Sequence, residues 1–221
     1  MNPIRLKNGL ITLYRGDAHD VVPRLRRDIN TVLTDPPYGI SYDNNFTRFS
    51  GGRLGMWCLS KSHLGQNHGN MIHGDDRAFD PRPWLGYHNV VLFGANCYSD
   101  RLPRGSLFVW CKRRQSALGK FCGDAEVAWH NRGHGVYLFH HVWSGCDRET
   151  ERGLSLHPHQ KPVALFSWVL SRLRRVTCVL DPFAGTSPIG VACALAGIPY
   201  VGIEIERDYH DLAIERIRKA A

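Results

Sequence analysis

The run Val179-Leu180-Asp181-Pro182-Phe183-Ala184-Gly185-Thr186-Ser187-Pro188 reads as a short buried strand, a tight turn and the first residue of a helix. Proline is pre-organised for the first helical position, which fits Pro188. A turn of this kind offers backbone N–H groups and a helix N-terminus to a carboxylate or hydroxyl-rich ligand. The next apolar run, Tyr200–Ile203, ends in Glu204. That is about 20 residues beyond the glycine turn, where an acidic residue grips the ribose hydroxyls of a nucleoside cofactor. The alternative is a purely structural turn followed by an exposed glutamate.

Working outward, apolar runs bounded by turn residues recur at Leu10–Tyr14, Thr31–Thr34, Asn89–Phe93, Ser106–Trp110, Ala125–Trp129 and Thr177–Leu180, each expected to be a strand. Apolar residues return at three- and four-residue steps in Ala18–Arg27, Lys161–Arg174, Pro188–Leu195 and Arg207–Arg218, the expected helices. This alternation predicts an α/β fold with a mostly parallel sheet and helices on both faces. A chain of 221 residues is enough for one such core and little more, so a single domain spanning 1–221 is expected. Gly39–Asp80 and roughly Cys111–Gln160 break the pattern as long polar segments, the expected sites of functional loops.

A second motif, Thr34-Asp35-Pro36-Pro37-Tyr38-Gly39, follows the strand Thr31–Leu33 directly and so falls at the carboxyl edge of the sheet, where α/β proteins bind ligands. The exocyclic amine of a nucleobase is a poor nucleophile, because its lone pair is delocalised into the ring. Acceptors aimed at its two N–H groups would draw the nitrogen toward tetrahedral geometry. Asp35 supplies a carboxylate, and Pro36, with φ locked and no N–H of its own, supplies a rigid carbonyl beside it. Tyr38 offers a face for a base taken out of a duplex. The same residues can instead form a turn that ends a strand, with Asp35 as a cap and Tyr38 in the core.

Charge and cysteine content bound the partners. The formal net charge of +8 suits a polyanion. Seven cysteines without a CxxC pair suggest reduced thiols rather than a disulfide framework. No apolar h-region follows the N-terminus and no run reaches the ~18 apolar residues of a membrane span, so a cytoplasmic location without a membrane partner is expected.

Taken together and in order, these motifs resemble the DNA amino-methyltransferases of the permuted (beta) arrangement, in which Asp-Pro-Pro-Tyr precedes Asp-Pro-Phe-x-Gly-x-Gly. Gly16-Asp17, Phe93-Gly94-Ala95-Asn96, Phe108-Val109-Trp110-Cys111-Lys112 and His157-Pro158-His159-Gln160-Lys161-Pro162 stand in the matching order. The resemblance implies S-adenosylmethionine as cofactor, DNA as substrate and a Rossmann-like methyltransferase fold. It implies a cofactor site of Asp17, Asp35, Lys161, Asp181, Phe183, Gly185, Thr186 and Glu204, with Asp17 near the adenine and Lys161 near the methionine end. Asp35, Pro36, Pro37 and Tyr38 would then be the catalytic set. Because Asp in the first motif position is associated with adenine and Ser with cytosine, N6 of adenine is the expected target. Cytosine N4, an RNA or protein amide, and a catalytically silent nucleic-acid-binding subunit are the alternatives. A companion restriction nuclease is compatible with this reading but not implied by it, and the oligomeric state is not legible.

One departure concerns the cofactor turn: Ser187 stands where the family has a second glycine, and Pro188 follows it. A turn that needs positive φ there would be strained by the serine Cβ. Lys112, Arg113 and Arg114 are candidate DNA phosphate contacts, as are Arg101 and Arg104, with exposed charged turns as the alternative. The two long segments, about 39–80 and 111–160, are expected to read the target. His130, His134, His140 and His141 lie near Cys122 and Cys146, but not at metal-ligand spacing, so no metal is expected. Trp57, Trp84, Trp129 and Trp143 can stack on bases or pack in the core, and core is expected for Trp129.

Overall fold

The computed structural model describes residues 2–25, 28–41, 73–120, 123–144, 147–151 and 160–220. Trp57, Cys122, Cys146, His157–His159 and most of the 39–80 segment lie outside the described residues.

Eleven strands are formed among the described residues: β1 Ile4–Leu6, β2 Ile11–Arg15, β3 Thr31–Thr34, β4 Asn89–Phe93, β5 Ser106–Cys111, β6 Ala125–His130, β7 Val136–His140, β8 Trp143–Ser144, β9 Asp147–Arg148, β10 Val179–Asp181 and β11 Tyr200–Glu204. Nine of them make one sheet in the order β1-β2-β11-β10-β3-β4-β6-β5-β7, and β8 and β9 pair separately. β2, β11, β10, β3 and β4 run parallel, whereas β6 is antiparallel to both β4 and β5. The helices are α1 Ala18–Val21, α2 Val163–Arg172, α3 Pro188–Ala196 and α4 Arg207–Lys219.

The central strands are apolar on both faces, as parallel strands between helix layers must be. In β4, Val91 and Phe93 join the core under α2, α3 and α4, while Val90 and Leu92 join the opposite core with Val21, Trp84 and Tyr98. Trp84, Trp129 and Trp143 are all buried. Among the described residues no helix is long and apolar enough to cross a membrane.

Several boundaries differ from expectation, each for a local reason. The helix expected over Ala18–Arg27 ends at Val21 and tightens into a 3-10 turn at Val22–Arg24, because Pro23 has no N–H to continue it. The helix expected from Lys161 starts at Val163, since a residue before proline is driven out of the helical region. The strand expected from Thr177 starts at Val179, as the N–H and hydroxyl of Thr177 donate to Asn30 Oδ1 and the Asp28 carbonyl. Within 111–160, β6 forms at the expected strand Ala125–Trp129, and β7, not read from the sequence, adds a further strand to the main sheet.

The chain runs from β10 through α3 to β11 on one side, and from β3 to β4 on the other. The loops after β10 and β3 therefore diverge. This is the topological switch point at which open α/β sheets bind ligands.

Candidate active site

Both motifs sit at that switch point and are tied together beneath it. The Thr34 hydroxyl, at the end of β3, donates to Asp181 Oδ1 at 2.6 Å. Asp181 is almost wholly buried and also accepts from the Phe183 N–H at 3.3 Å and the Tyr200 hydroxyl at 3.1 Å. It braces the two loops against each other rather than facing the cleft as a free acceptor. Burial raises its pKa to about 7 against the hydrogen bonds it accepts.

That shift predicts a pH dependence. A carboxyl with a raised folded pKa costs stability progressively from its unfolded value near 3.8 up to about 7, and the full cost persists above that. Between pH 5 and 8 the native chain should lose about 2–3 kcal/mol through this group, a slope that Asp181→Asn should lack. Urea denaturation of both proteins across that range tests it. Parallel stability curves would show that Asp181 is not the titrating group.

The cofactor-type turn has the form read from the sequence. Gly185 has φ +51°, and Ser187 is left-handed at φ +54°, ψ +50°. The Ser187 hydroxyl lies 2.9 Å from that of Tyr200. A non-glycine residue in this conformation costs roughly 1–2 kcal/mol, and the hydrogen bond returns about 1 kcal/mol. Ser187→Gly should therefore shift stability by no more than about 1 kcal/mol. A drop in urea midpoint worth about twice that would mean the hydroxyl contributes more than strain removes.

Glu204 is buried at the end of β11, with Oε2 accepting from the Gly185 N–H at 2.7 Å and Oε1 from the Glu206 N–H at 2.8 Å. Burial raises its pKa despite those bonds. Asp17 caps α1, taking the His19 N–H at 2.8 Å, and is exposed at the cleft mouth. Phe183 meets Phe79 and Trp84 edge-on at 6.0 and 5.8 Å, so one wall of the cleft is aromatic. Thr186 is buried, and Arg216 Nη1 donates to its hydroxyl at 2.7 Å and its carbonyl at 3.0 Å. The other Arg216 nitrogen pairs with Glu151 at 2.8 Å.

In the Asp-Pro-Pro-Tyr motif, Pro36 is buried and Pro37 partly buried, and both line the cleft. The Tyr38 hydroxyl donates to Asp35 Oδ1 at 2.6 Å. Burial, with the neighbouring Asp35 charge next in size, holds the Tyr38 phenol well above its usual pKa, so it stays a donor. The Tyr38 ring lies against Gly94, which has φ +72°. Beyond the tyrosine, the Gly39 and Ile40 N–H groups donate to Asp75 Oδ1 at 2.8 and 3.3 Å.

Lys161 stands just before α2, and its ammonium bonds Asp35 Oδ2 while also lying 3.2 Å from the Tyr38 hydroxyl and 3.3 Å from Glu126 Oε2. Burial alone would lower its pKa, but the Asp35 and Glu126 carboxylates outweigh that and raise it. Glu126, on β6, belongs to none of the motifs read from the sequence. The signal that could have found it is a lone carboxylate in a largely apolar strand.

The candidate DNA contacts are divided by the structure. Lys112 is turned into the cleft, 2.9 Å from Glu126 Oε1. Arg114 makes a two-point pair with Asp147 at 2.6 and 2.7 Å, although half of its side chain is exposed. Arg113 lines the cleft, and its carbonyl bonds the His140 ring at 2.8 Å. Arg101 Nη1 donates to the Phe79 carbonyl at 2.7 Å, and Arg104 is exposed. Among the described residues no group of three or more His, Cys, Asp or Glu side chains is placed to hold a metal.

One continuous cavity of about 1340 Å³ takes in Asp17, Phe183, Gly185 and Glu204 at one end and Asp35, Tyr38 and Lys161 at the other. Single-ligand pockets run to roughly 300–1,000 Å³, so this cleft has room for a nucleoside-type cofactor and a second planar group together. The aromatic wall, the glycine turn and the acid ending β11 suit such a cofactor.

The mostly parallel sheet, with β6 and the edge strand β1 antiparallel to their neighbours, is the Rossmann-like fold shared with solved S-adenosylmethionine-dependent DNA methyltransferases. Residues 128–215 match the N6/N4 family model described as DNA methylase. The chain is 39% identical over 85 residues to the type II methyltransferase M.HinfI of Haemophilus influenzae, a match covering 35% of this chain and 24% of that protein. It is 32% identical over 82 residues to M2.LlaDCHI of Lactococcus lactis subsp. cremoris, covering 36% and 30% of the respective chains. The matched stretch thus spans only a quarter to a third of the curated relatives' length. Among solved structures, TTHA0409 of Thermus thermophilus superposes with a TM-score of 0.56 at 18% identity, covering 95% of this chain and 94% of that one. The PvuII cytosine-N4-specific DNA methyltransferase gives 0.55 at 15% identity, covering 93% and 86%. At these identities the likenesses carry the fold.

Proposed function

We propose that the protein transfers a methyl group from S-adenosylmethionine to the exocyclic N6 of adenine in DNA. The observation that carries this reading is the placement of Asp35 and Tyr38 beside the Phe183–Gly185–Glu204 turn, in one cleft at the switch point. The solved M1.HpyAVI complex holds SAM on the same fold. When bound, the cofactor supplies an electrophilic methyl on its sulfonium.

The chain's own residues supply placement and charge. Glu204 and the glycine turn would hold the ribose, and Phe183 with its aromatic neighbours would flank the adenine, near Asp17. Lys161 serves the methionine end, while Asp181 and Thr186 brace the turn from behind. A base swung out of the duplex is stacked on Tyr38, with one amino N–H accepted by Asp35 and the other by the Pro36 carbonyl. The nitrogen lone pair is thereby freed for in-line attack on the methyl carbon. With the cofactor bound, its sulfonium methyl would be the carbon attacked and its sulfur would leave with the C–S electron pair, and Asp35 is placed to take the proton that the nitrogen sheds. Most of the rate gain comes from orientation and fixed charge.

Target reading falls to residues of the 39–80 and 111–160 regions, with Arg113 and Arg114 near phosphate. Lys112, committed to Glu126, is the least available of the three. The aspartate in Asp35-Pro36-Pro37-Tyr38 favours adenine over cytosine.

The test is to incubate the protein with unmethylated DNA and methyl-labelled S-adenosylmethionine, digest the DNA to nucleosides and identify the labelled one. N6-methyladenine is expected. N4-methylcytosine would overturn the choice of base, and cofactor binding without labelled DNA would overturn DNA as the substrate.

A further inference from the structure

Four charged side chains from four chain segments alternate in sign across the cleft: Asp35 after β3, Lys161 before α2, Glu126 on β6 and Lys112 after β5. The Lys161 side chain is only 7% exposed, and its ammonium reaches two carboxylates, Asp35 Oδ2 in direct contact and Glu126 Oε2 at 3.3 Å. Glu126 Oε1 is held from the other side by the Lys112 ammonium at 2.9 Å.

In this arrangement both oxygens of Asp35 are occupied, Oδ1 by the Tyr38 hydroxyl and Oδ2 by Lys161. A carboxylate in direct contact with an ammonium is a weakened acceptor for a neutral amine. To draw on the target N–H at full strength, Asp35 has to be relieved of the Lys161 charge that neutralises it. A buried ammonium cannot leave one anion unless another receives it, because an unpaired charge in the interior is strongly disfavoured. Glu126 is already within reach of the ammonium, and Lys112 fixes it there. Burial alone would raise the Glu126 pKa, but Lys161 and Lys112 hold it down at about 2, so it stays ionised.

We propose that Glu126 is a positioning residue for methyl transfer: it is the second carboxylate that takes Lys161 and so releases Asp35 to the target amine. This rests on the amino-methyl transfer proposed above. Lys161 shuttles between two anions over a short distance while the net charge of the group stays constant. Glu126 itself touches neither base nor methyl group.

The test uses the full chain with unmethylated DNA and S-adenosylmethionine, comparing wild type, Glu126→Gln and Glu126→Asp. Each is measured for kcat at saturating substrates and for cofactor Kd by calorimetry. With the Glu126 charge removed, Lys161 has no second protein carboxylate to move to and stays on Asp35. E126Q should therefore lose about 10- to 100-fold in kcat, the size expected when a reacting group is misplaced. Cofactor Kd should stay within about threefold. E126D keeps the charge and should recover most of the rate.

Equal kcat for E126Q and wild type, a loss in E126Q matched by an equal loss of cofactor affinity, or E126D no faster than E126Q would each overturn the inference while leaving the methyltransferase reading intact. Should E126Q fail to fold, E126D decides alone. A small loss in kcat supports the shuttle, and a loss as deep as that of Asp35→Asn overturns it. A wild-type protein that binds cofactor but methylates no DNA would overturn the parent reading and this inference with it.

Discussion

Replacing Asp35 with asparagine is expected to lower kcat by about 10²–10⁴-fold, the range found when a positioned acid–base group or a preorganised charge is removed. The amide has one acceptor oxygen in place of two anionic ones and adds a donor where the target also offers donors. It fails to attract the amino hydrogens and also repels them. Folding should survive the change, because Lys161 keeps Glu126 at 3.3 Å as a counter-ion, and Tyr38 remains wedged against Gly94. Cofactor affinity should change far less than kcat, since the glycine turn, Phe183 and Glu204 are untouched. Single-turnover transfer to DNA, alongside equilibrium binding of S-adenosylmethionine, separates the two. A variant retaining more than a tenth of wild-type kcat would remove Asp35 from the chemistry, since the effect would then fall below the range for such groups.

What the sequence disclosed were features written in a few adjacent residues. Asp181-Pro182-Phe183 followed by Gly185, and Asp35-Pro36-Pro37-Tyr38, each place an apolar strand against rigid turn residues. That combination fixes strand, turn and sheet edge without reference to the rest of the chain. Even the left-handed Ser187 could be anticipated, because a turn that reverses so sharply needs positive φ wherever the second glycine would stand.

What it withheld were partnerships between residues far apart. Thr34 and Asp181 are 147 positions apart, and Lys161 lies 126 positions from Asp35. Neither pairing leaves a periodic signal in its own neighbourhood. The same holds for Arg216, which fixes Thr186 and Glu151 from the last helix. β7 escapes a reading of the sequence because it is an edge strand whose Val136 and Leu138 face outward. Its apolar residues therefore do not alternate with polar ones as a half-buried strand's would. Charge alone marks Lys112 and Arg114 as phosphate contacts. Their carboxylate partners, Glu126 and Asp147, are brought to them only by the pairing of β5 with β6 and of β8 with β9.

Substituting Gly94 with alanine should be the most damaging change outside the polar groups. The loop after β4 crosses directly over the Tyr38 ring, and a Cβ at position 94 would stand 2.1 to 2.4 Å from three of its ring carbons. The ring cannot yield easily: its hydroxyl is bonded to Asp35, and the backbone just beyond it is held by Asp75. The left-handed φ of +72° adds its own cost. Strain and overpacking together should destabilise the protein by about 2–4 kcal/mol. The surviving folded fraction should be impaired in a diagnostic way. Pushing Tyr38 aside moves both the proposed stacking face and the hydroxyl bonded to Asp35, so kcat should fall with KM for DNA rising. The aromatic wall of Phe79, Trp84 and Phe183 is built from other elements and should still bind cofactor with near-native affinity. Thermal denaturation and cofactor titration of the same preparation measure the two effects. A Gly94→Ala protein with native stability and native kcat would show that the loop and the ring adjust freely, and that Tyr38 is not the fixed platform on which the target base is held.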